Sequence, residues 1–312
     1  MRLVSYLDPF GRSAPGAEVQ GLGVVDLSRV LDAHGVAVPS SVADLFRRGS
    51  DYQDSVRAVL VRVGAEPQHA ADRGWVVREP ITLLAPLGER VQTVAAGANY
   101  RSHLEEMGEE PPEKPAWFVK SPMPTGTGAS IVIPASAPDK VDFEGEFCVV
   151  FGRECHAVTA EEAMDYVGGY TIINDVSARD DIPKLAAATT PEEGRWAWTT
   201  MLLGKQYPSF CPMGPVVVTA DEIADPGDLA ITTTLNGKVM QRGHTSDMLT
   251  SIPELIAYLS QFFSFAPGDV MSTGSPAGVG VARKPPVFLR AGDEIQVSVE
   301  GIGDLVNRLV GP

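Results

Sequence analysis

Short β-type runs separated by glycine and proline make up most of the chain from Val91 onward. The 312 residues include 31 glycines and 25 prolines, and the runs between them are rich in Val, Ile and Thr, as strands usually are. The clearest runs are VQTVAAGAN, YTIIND, GPVVVTA, LAITTTLNG and DEIQVSVEG. Because few helical segments interrupt this series, the sequence predicts an α+β fold that is mainly β.

A smaller unit precedes this series. Residues 1–75 are predicted to form an N-terminal α+β module, with a strand at Arg2 to Tyr6 and helical pieces at 41–46 and 52–63. Residues 81–312 are predicted to form the larger, catalytic domain. The module carries no cluster of chemically reactive side chains, so the candidate functional residues are sought in the larger domain.

Two local patterns in the larger domain predict particular structures. Asn236-Gly237 lies between two strand-like runs and is the preferred pair for a two-residue hairpin turn. The segment from Ile252 to Phe263 carries its apolar residues on one stripe, which predicts an amphipathic helix.

Charge and hydropathy exclude several kinds of partner. The chain has 25 basic and 40 acidic residues, a formal net charge of -15, whereas a polyanion partner requires clustered Lys and Arg. Nucleic acid is therefore not expected. No apolar run approaches the roughly 20 residues that a membrane helix needs, and the opening residues lack an apolar signal core, so we expect a cytoplasmic protein with no membrane partner. The three cysteines form no C-x-x-C pair, which argues against a disulfide framework or a cysteine zinc site.

Two glutamates lie inside a strongly apolar run, VDFEGEFCVVF, at residues 141–151. Side chains alternate along a strand, so Glu144 and Glu146 share a face with Cys148 and Val150. This face turns from acidic to apolar within two residues, and burying two like charges is costly unless a cation or hydrogen-bond donors compensate them. The pattern indicates a metal site, although the pair alone leaves a solvent-facing acidic face open.

A third carboxylate ends the next strand-like run, YTIIND, at Asp175. Together with Glu144 and Glu146 it would form an oxygen site, which favours a hard cation such as Mg²⁺, Mn²⁺ or Ca²⁺ over zinc. The alternative is that Asp175 caps the turn that follows the strand.

A histidine and a glutamate are three residues apart in GANYRSHLEEMG. If Ser102 to Met107 forms a helical turn, His103 and Glu106 face the same side, and the carboxylate can orient the imidazole as a general base. An exposed histidine beside acidic neighbours is the alternative.

These residues together resemble the fumarylacetoacetate hydrolase (FAH) family, from about Val91 to the C-terminus. The resemblance rests on seven blocks in one order: GANYRSHLEEMG, the FVK of 118–120, VDFEGEFCVVFG, MDYVGGYTIINDVSARD, LLGKQYPSFCPMGP, STGSPAGVG and GDEIQVSVEGIGDL. It implies an FAH-like mixed β-sandwich roll with a metal in its mouth, a small oxo-acid substrate and, commonly, a homodimer.

The resemblance also assigns roles. It implies that Mg²⁺ (or Mn²⁺) is bound by Glu144, Glu146 and Asp175. The implied catalytic residues are His103 and Glu106, on a lid segment that orders over substrate, and Lys205, which stabilises negative charge. The implied substrate-binding residues are Ser275, where most members have threonine, with Thr273, Tyr100 and Lys120 from the same blocks. Arg179 is expected to form a structural ion pair.

One segment departs from the family pattern. Many members continue S-A-R-D with a hydrophobic residue and a substrate-holding glutamine, whereas this chain continues with Asp181-Ile182-Pro183 and reaches Lys205 about ten residues later. The segment 184–200 is interpreted as a long loop whose two indoles, Trp196 and Trp198, either shape the pocket or pack at a subunit boundary.

The implied chemistry passes through an enolate of a 2-oxo acid that the metal stabilises. We expect a divalent-metal-dependent hydrolase that cleaves a C-C bond in acylpyruvate-type β-diketo acids, with water activated by His103 and Glu106. The alternatives are a decarboxylase of oxaloacetate-like 2-oxo acids, a hydratase or isomerase of the same family, and a non-catalytic metal-dependent binding protein.

Overall fold

Two packed sheets form the framework of the structure, a computed structural model that describes residues 1–88, 90–121, 123–180, 182 and 187–312. The strands are β1 Arg2–Leu7, β2 Ser13–Val19, β3 Gly23–Asp26, β4 Leu83–Leu84, β5 Thr93–Gly97, β6 Ala116–Lys120, β7 Ser130–Val132, β8 Val141–Asp142, β9 Gly145–Phe151, β10 Val167–Asn174, β11 Ser177–Ala178, β12 Met213–Thr219, β13 Ala230–Leu235, β14 Lys238–His244, β15 Val270–Ser272, β16 Glu294–Val299 and β17 Gly303–Val310. The helices are α1 Leu27–Ala33, α2 Val42–Arg47, α3 Ser50–Ala65, α4 Pro67–Asp72, α5 Arg101–Met107, α6 Pro191–Leu203 and α7 Ile252–Leu259. The mixed, mainly β prediction is confirmed.

The large sheet runs in the order β3-β2-β1-β12-β10-β9-β15-β5-β6, with β4 beside β1. The smaller sheet has the order β14-β13-β16-β17-β7, and β8 pairs with β11. Both main sheets mix parallel and antiparallel pairs, since β15 runs parallel to β5 and β17 runs parallel to β7. The core clusters cover both faces of the large sheet, whereas β13, β16 and β17 of the smaller sheet alternate buried and more exposed residues and so have one covered face.

Strand β9 lies near the middle of the large sheet and is buried along its whole length. One face, with Phe147, Val149 and Phe151, packs with α7 and the smaller sheet, as the predicted alternation requires. The other face, with Cys148 and Val150, packs under the N-terminal helices. The apolar stretch of the E-x-E strand is therefore covered on both sides.

The N-terminal residues join the main sheet. Strand β1 pairs antiparallel with both β2 and β12, and helices α1, α2 and α3 contribute to the core beneath β9. The two predicted units, 1–75 and 81–312, thus share one sheet, and the boundary between them stays a prediction.

Most local predictions are confirmed. Strands β13 and β14 meet at Asn236-Gly237, where both residues have positive φ, 50° and 77°. The three cysteines, Cys148, Cys155 and Cys211, are buried. Helix α7 has the predicted buried stripe but ends at Leu259, four residues before the predicted end, and Phe263 packs against the same core from the following turn.

The long-loop interpretation of 184–200 is wrong for its second half. Helix α6 begins at Pro191, where Thr190 and Glu193 form a capping box and proline occupies the first turn. These start signals were present in the sequence. Residues 181 and 183–186 lie outside the described part of the chain. Among the described residues, none of the helices has the length and hydrophobicity needed to cross a bilayer.

Candidate active site

The three predicted carboxylates come together at the ends of two paired strands. Strands β9 and β10 are antiparallel, with Ile173 opposite Glu146, and the backbone N–H of Asp175 donates to the carbonyl of Glu144 over 2.8 Å. Glu144, Glu146 and Asp175 are 6%, 2% and 0% exposed, and one oxygen from each lies within 4.8 Å of the others. The solvent-facing alternative for the E-x-E pair is therefore excluded.

Gly145 separates the two glutamates because no side chain fits there. A Cβ at this position would lie 2.3 Å from Oγ1 of Thr233 and 2.8 Å from Cγ1 of Val297. Both neighbours belong to the smaller sheet, which therefore packs directly on the backbone between the glutamates. Because the smaller sheet packs on this face of β9, the side chains of Glu144 and Glu146 lie on the opposite face of the strand.

Three buried cations pair with the carboxylates, and two of them, Arg179 and Lys205, also line the cavity described below. The guanidinium of Arg179 contacts Glu144 and lies 3.2 Å from Asp142, which confirms the predicted structural ion pair. Nζ of Lys205 lies 2.6 Å from Glu144 and also contacts Asp175. Burial disfavours the ammonium of Lys205, but the two carboxylates outweigh burial and raise its pKa. Burial likewise opposes ionisation of Glu144, but Arg179 and Lys205 outweigh it and hold its pKa well below the ordinary value.

Glu146 is the exception in this network. Its carboxylate accepts a hydrogen bond from Ser272, and among the described residues no cation pairs with it. Burial, followed by repulsion from Asp175 and Glu144, raises its pKa well above the ordinary value. A divalent cation would supply the positive charge that is missing here, and three buried carboxylates are the donor set of a hard ion. The residues therefore fit a bound divalent metal.

The predicted helical turn with the histidine and glutamate is present. His103 and Glu106 lie on α5, with Nδ1 of the imidazole 2.8 Å from Oε1 of the carboxylate. The other oxygen, Oε2, accepts the backbone N–H of Gly278 over 2.8 Å. The start of α5 is held by Asp247, which accepts hydrogen bonds from the N–H and hydroxyl of Ser102 over 3.0 and 2.5 Å. Helix α5, which carries the pair, is thus bound to two other segments of the chain, at Asp247 and at Gly278.

A cavity of about 160 Å³ connects the two groups. It is lined by the carboxylate cluster, by His103 and Lys205, and by Ser275, whose hydroxyl accepts a hydrogen bond from Nε2 of Gln241 over 2.8 Å. This volume is well below the ~300–1,000 Å³ of pockets for drug-sized ligands, so the cavity suits a small substrate.

The other three predicted substrate-binding residues lie behind the cavity lining. Tyr100 and Thr273 are fully buried, their hydroxyls are 3.2 Å apart, and Oγ1 of Thr273 donates to the carbonyl of Phe147. Lys120 is also buried, with Nζ 2.5 Å from Asp175. Contact of these residues with a substrate stays a prediction, and their observed contacts support the lining residues from behind.

Asp142 is a site residue that the sequence reasoning missed. Its carboxylate is fully buried and accepts the backbone N–H of Gly280 over 2.6 Å, while its other oxygen faces Arg179. A Cβ on Gly280 would lie 2.0 Å from the carbonyl of Val287, so only glycine fits this approach. Asp142 therefore ties the loop that holds Glu106 to the cation beside Glu144. Its place two residues before Glu144, inside the same block, was the available signal.

The fold and the site define a class of protein. A mixed two-sheet fold in which buried carboxylates and a histidine oriented by a glutamate line the same cavity is an enzyme architecture, with an oxygen site compatible with a divalent cation.

Comparison with known proteins gives the family. The sequence profile described as "Fumarylacetoacetate (FAA) hydrolase C-terminal" matches residues 92–310. The chain is 36% identical over 313 residues to the mitochondrial oxaloacetate tautomerase of Rattus norvegicus, covering 99% of this chain and 92% of that protein. It is 35% identical over 276 residues to an oxaloacetate tautomerase of Bacillus subtilis, covering 87% of each. The structure of a fumarylacetoacetate hydrolase from Exiguobacterium antarcticum superposes with a TM-score of 0.77 at 30% identity over all of both chains. The chain belongs to the fumarylacetoacetate hydrolase family and is an enzyme.

Proposed function

We propose that this enzyme moves a proton at carbon 3 of a small 2-oxo acid, interconverting its keto and enol forms in the presence of a divalent metal. The observation that carries this proposal is the position of His103, which lines the same cavity as the carboxylate cluster and is oriented by Glu106. An acid–base group next to an electrophilic site is what proton transfer beside a carbonyl requires.

The histidine acts through its second ring nitrogen. When Nδ1–H donates to Glu106, Nε2 carries the lone pair and accepts the proton from carbon 3 of the substrate. Electrons of the broken C–H bond form the C2–C3 double bond, and the C2 oxygen becomes negative. The imidazolium is stabilised by Glu106 and returns the proton to that oxygen, which completes the enol without loss or gain of atoms.

The remaining residues hold charge. Lys205 is an ammonium that faces the cavity from beside Glu144 and Asp175, so it stabilises negative charge that develops on a substrate oxygen. Ser275 offers a hydroxyl to an oxygen of the substrate. A divalent ion held by Glu144, Glu146 and Asp175, with Mg²⁺ or Mn²⁺ proposed as the ion, would supply Lewis-acid polarisation of the 2-oxo acid.

The named activity of the relatives supports this reaction class. Two proteins called oxaloacetate tautomerases are 36% and 35% identical to this chain, over 92% and 87% of their own lengths. Keto–enol interconversion is also the reaction that needs least from the site, because neither an attacking water nor a leaving group has to be placed.

Hydrolysis of an acylpyruvate, the reaction first expected from the sequence, is the second candidate. It uses the same residues, with His103 deprotonating a water that attacks the distal carbonyl. The observation that favours it is the aromatic lining of the cavity, where Phe118 and the half-exposed Trp198 would cover an acyl chain.

One experiment separates these reactions. The loss of enol absorbance of oxaloacetate is followed with Mg²⁺ and with EDTA, against an enzyme-free blank, while pyruvate release is measured in the same samples. Acetylpyruvate is tested in parallel for acetate release. Metal-dependent enol loss without pyruvate supports the tautomerase, pyruvate release indicates a decarboxylase, and acetate release indicates the hydrolase. If the blank and the enzyme give equal rates for every substrate, the proposal is wrong.

A further inference from the structure

The cavity is charged at its base and apolar near its opening. The carboxylates at its base are at most 6% exposed, whereas Trp198 in its wall is 51% exposed. The wall is formed by Ala98, Ala116, Phe118, Trp198, Met201 and Leu202. Phe118 marks the border between the two parts, because its ring centre lies 4.7 Å from Nζ of Lys205. A substrate held by its 2-oxo acid group at the base therefore directs its far end to this wall.

Helix α6 supplies half of that wall. Trp198, Met201 and Leu202 are spaced three and four residues apart, so they lie on one helical face, and the next position on this face, after the helix ends, is Lys205. The helix thus carries half of the apolar wall and leads directly to Lys205.

The junction between α6 and Lys205 fits only glycine. A Cβ on Gly204 would lie 2.3 Å from the carbonyl of Ala178, and the carbonyl of Gly204 accepts the N–H of Ala178 over 2.9 Å. This close contact fixes the end of α6 to the strand β11, which follows Asp175. The apolar wall is consequently held in a set position relative to the carboxylate cluster.

The cations that face the cavity are already engaged at its base. Arg179 contacts Asp142 and Glu144, and Lys205 contacts Glu144 and Asp175. Among the described cavity-lining residues of β6 and α6, none is a cation; Arg195 lies one turn before Trp198 on α6, is exposed and is not among the lining residues. A carboxylate placed against the lining residues would lose its hydration without a charged partner there, whereas an apolar group would gain from burial and from stacking on Phe118 and Trp198.

We propose that the wall formed by Phe118, Trp198 and Met201 selects substrates whose far end is an uncharged aromatic or alkyl group rather than a second carboxylate. This inference rests on the proposed 2-oxo acid chemistry and names the class of substrate. It separates this chain from its relatives that are called oxaloacetate tautomerases, since oxaloacetate is a dicarboxylate.

A matched pair of substrates tests the wall. Phenylpyruvate and oxaloacetate share the 2-oxo acid and the carbon 3 protons, and they differ in a phenyl or a carboxylate at the far end. With Mg²⁺, wild type is expected to have a kcat/KM for phenylpyruvate tautomerisation about tenfold or more above that for oxaloacetate. Trp198→Ala is expected to lower this ratio about tenfold, and Met201→Lys, which adds a cation, is expected to shift it toward oxaloacetate. Trp196→Ala is the control, because Trp196 lies on the same helix, is 68% exposed and does not line this cavity.

The outcomes distinguish the two proposals. A wild-type preference for oxaloacetate, or a ratio that Trp198→Ala and Met201→Lys leave unchanged, would overturn the apolar wall. Lys184 is a cation near α6 in the sequence that lies outside the described residues, so Lys184→Ala is tested as well. A preference for oxaloacetate that disappears in this variant would show that Lys184 receives the second carboxylate, and it would overturn the apolar wall. If neither compound is turned over, the proposed function fails, and calorimetric Kd values for the same two compounds with Mg²⁺ then test the wall alone. Tighter phenylpyruvate binding that weakens in Trp198→Ala supports it, and equal binding contradicts it.

Discussion

His103 and Glu106 form a hydrogen bond of 2.8 Å, and the second oxygen of the glutamate is held by the backbone N–H of Gly278. The glutamate therefore has both oxygens engaged and cannot rotate without breaking one of these bonds. Gly278 belongs to the loop that Asp142 holds through the N–H of Gly280. The histidine–glutamate pair and the carboxylate cluster are consequently positioned by the same loop.

Replacing the base is expected to remove most of the activity and leave metal binding intact. We expect His103→Ala to lower kcat by about 10²–10⁴-fold, the usual contribution of a general acid–base group. Calorimetry with Mg²⁺ should give a Kd close to that of wild type, because His103 is not among the clustered carboxylates. Glu105→Ala, on the exposed side of the same helix, is the control and should retain activity. Retained activity in His103→Ala would exclude this base.

Neutralising Glu146 is expected to separate metal binding from folding. Glu146→Gln keeps the shape of the side chain and removes the carboxylate that lacks a cation partner, so the metal-free variant should unfold at a temperature equal to or above that of wild type. Wild type should be stabilised by Mg²⁺, by about 2.7 kcal/mol at 100 times its Kd, and the variant should not. Thermal unfolding with and without Mg²⁺ checks this. A variant that still responds to Mg²⁺ as wild type does would contradict the role of Glu146.

Removing Arg179 is expected to destabilise the folded protein. Arg179→Met leaves Asp142 and Glu144 buried without one of their cations, and we expect a loss of about 3–5 kcal/mol in the free energy of unfolding. The matched control is Arg308→Met, which removes a pair with Glu294 whose side chains are 77% and 46% exposed. That variant should lose at most about 1 kcal/mol. Urea unfolding of both variants gives the comparison, and equal losses would refute the structural role assigned to Arg179.

A methyl group between the two glutamates is expected to disturb both the packing and the metal site. Gly145→Ala forces the smaller sheet away from β9, because the Cβ would lie 2.3 Å from Oγ1 of Thr233, and overpacking of this kind typically costs about 1–3 kcal/mol. Metal affinity should fall with it, since Glu144 and Glu146 flank the shifted backbone. Gly194→Ala in α6, where a Cβ has open space, should instead stabilise the chain by about 0.5–1 kcal/mol. Unfolding curves and Mg²⁺ titrations of both variants measure these effects; an unaffected Gly145→Ala would mean that the sheets can separate freely here.

Local chemistry made part of the site predictable. Asn236-Gly237 specifies its hairpin through two positive φ angles, and His103 meets Glu106 because three residues span nearly one helical turn. The E-x-E pair pointed to a metal because two buried like charges need compensation. Each of these inferences uses residues that are close along the chain.

Contacts between distant segments were not predictable in the same way. The approach of Gly280 to Asp142 and of Gly204 to Ala178 depends on which backbones meet in three dimensions, and a single sequence does not encode that choice locally. The capping box at Thr190 and Glu193 could be recognised in the sequence and indicates a helix start, but the departure from the family pattern favoured a loop instead. That Trp198 faces the cavity and Trp196 faces away follows from the helical phase of α6, which a loop does not have.

The pairing of β1 with β12 has a consequence for synthesis of the chain. Arg2 pairs with Val218, so the neighbour of the first strand leaves the ribosome only after most of the chain has been made. Until then β1 has an open edge at Arg2 and Leu3, where β12 later pairs, and an open strand edge is a template for pairing with other chains. Folding of the large sheet is therefore expected to be completed late, after release of most of the polypeptide, with nascent β1 as the segment most in need of chaperone cover.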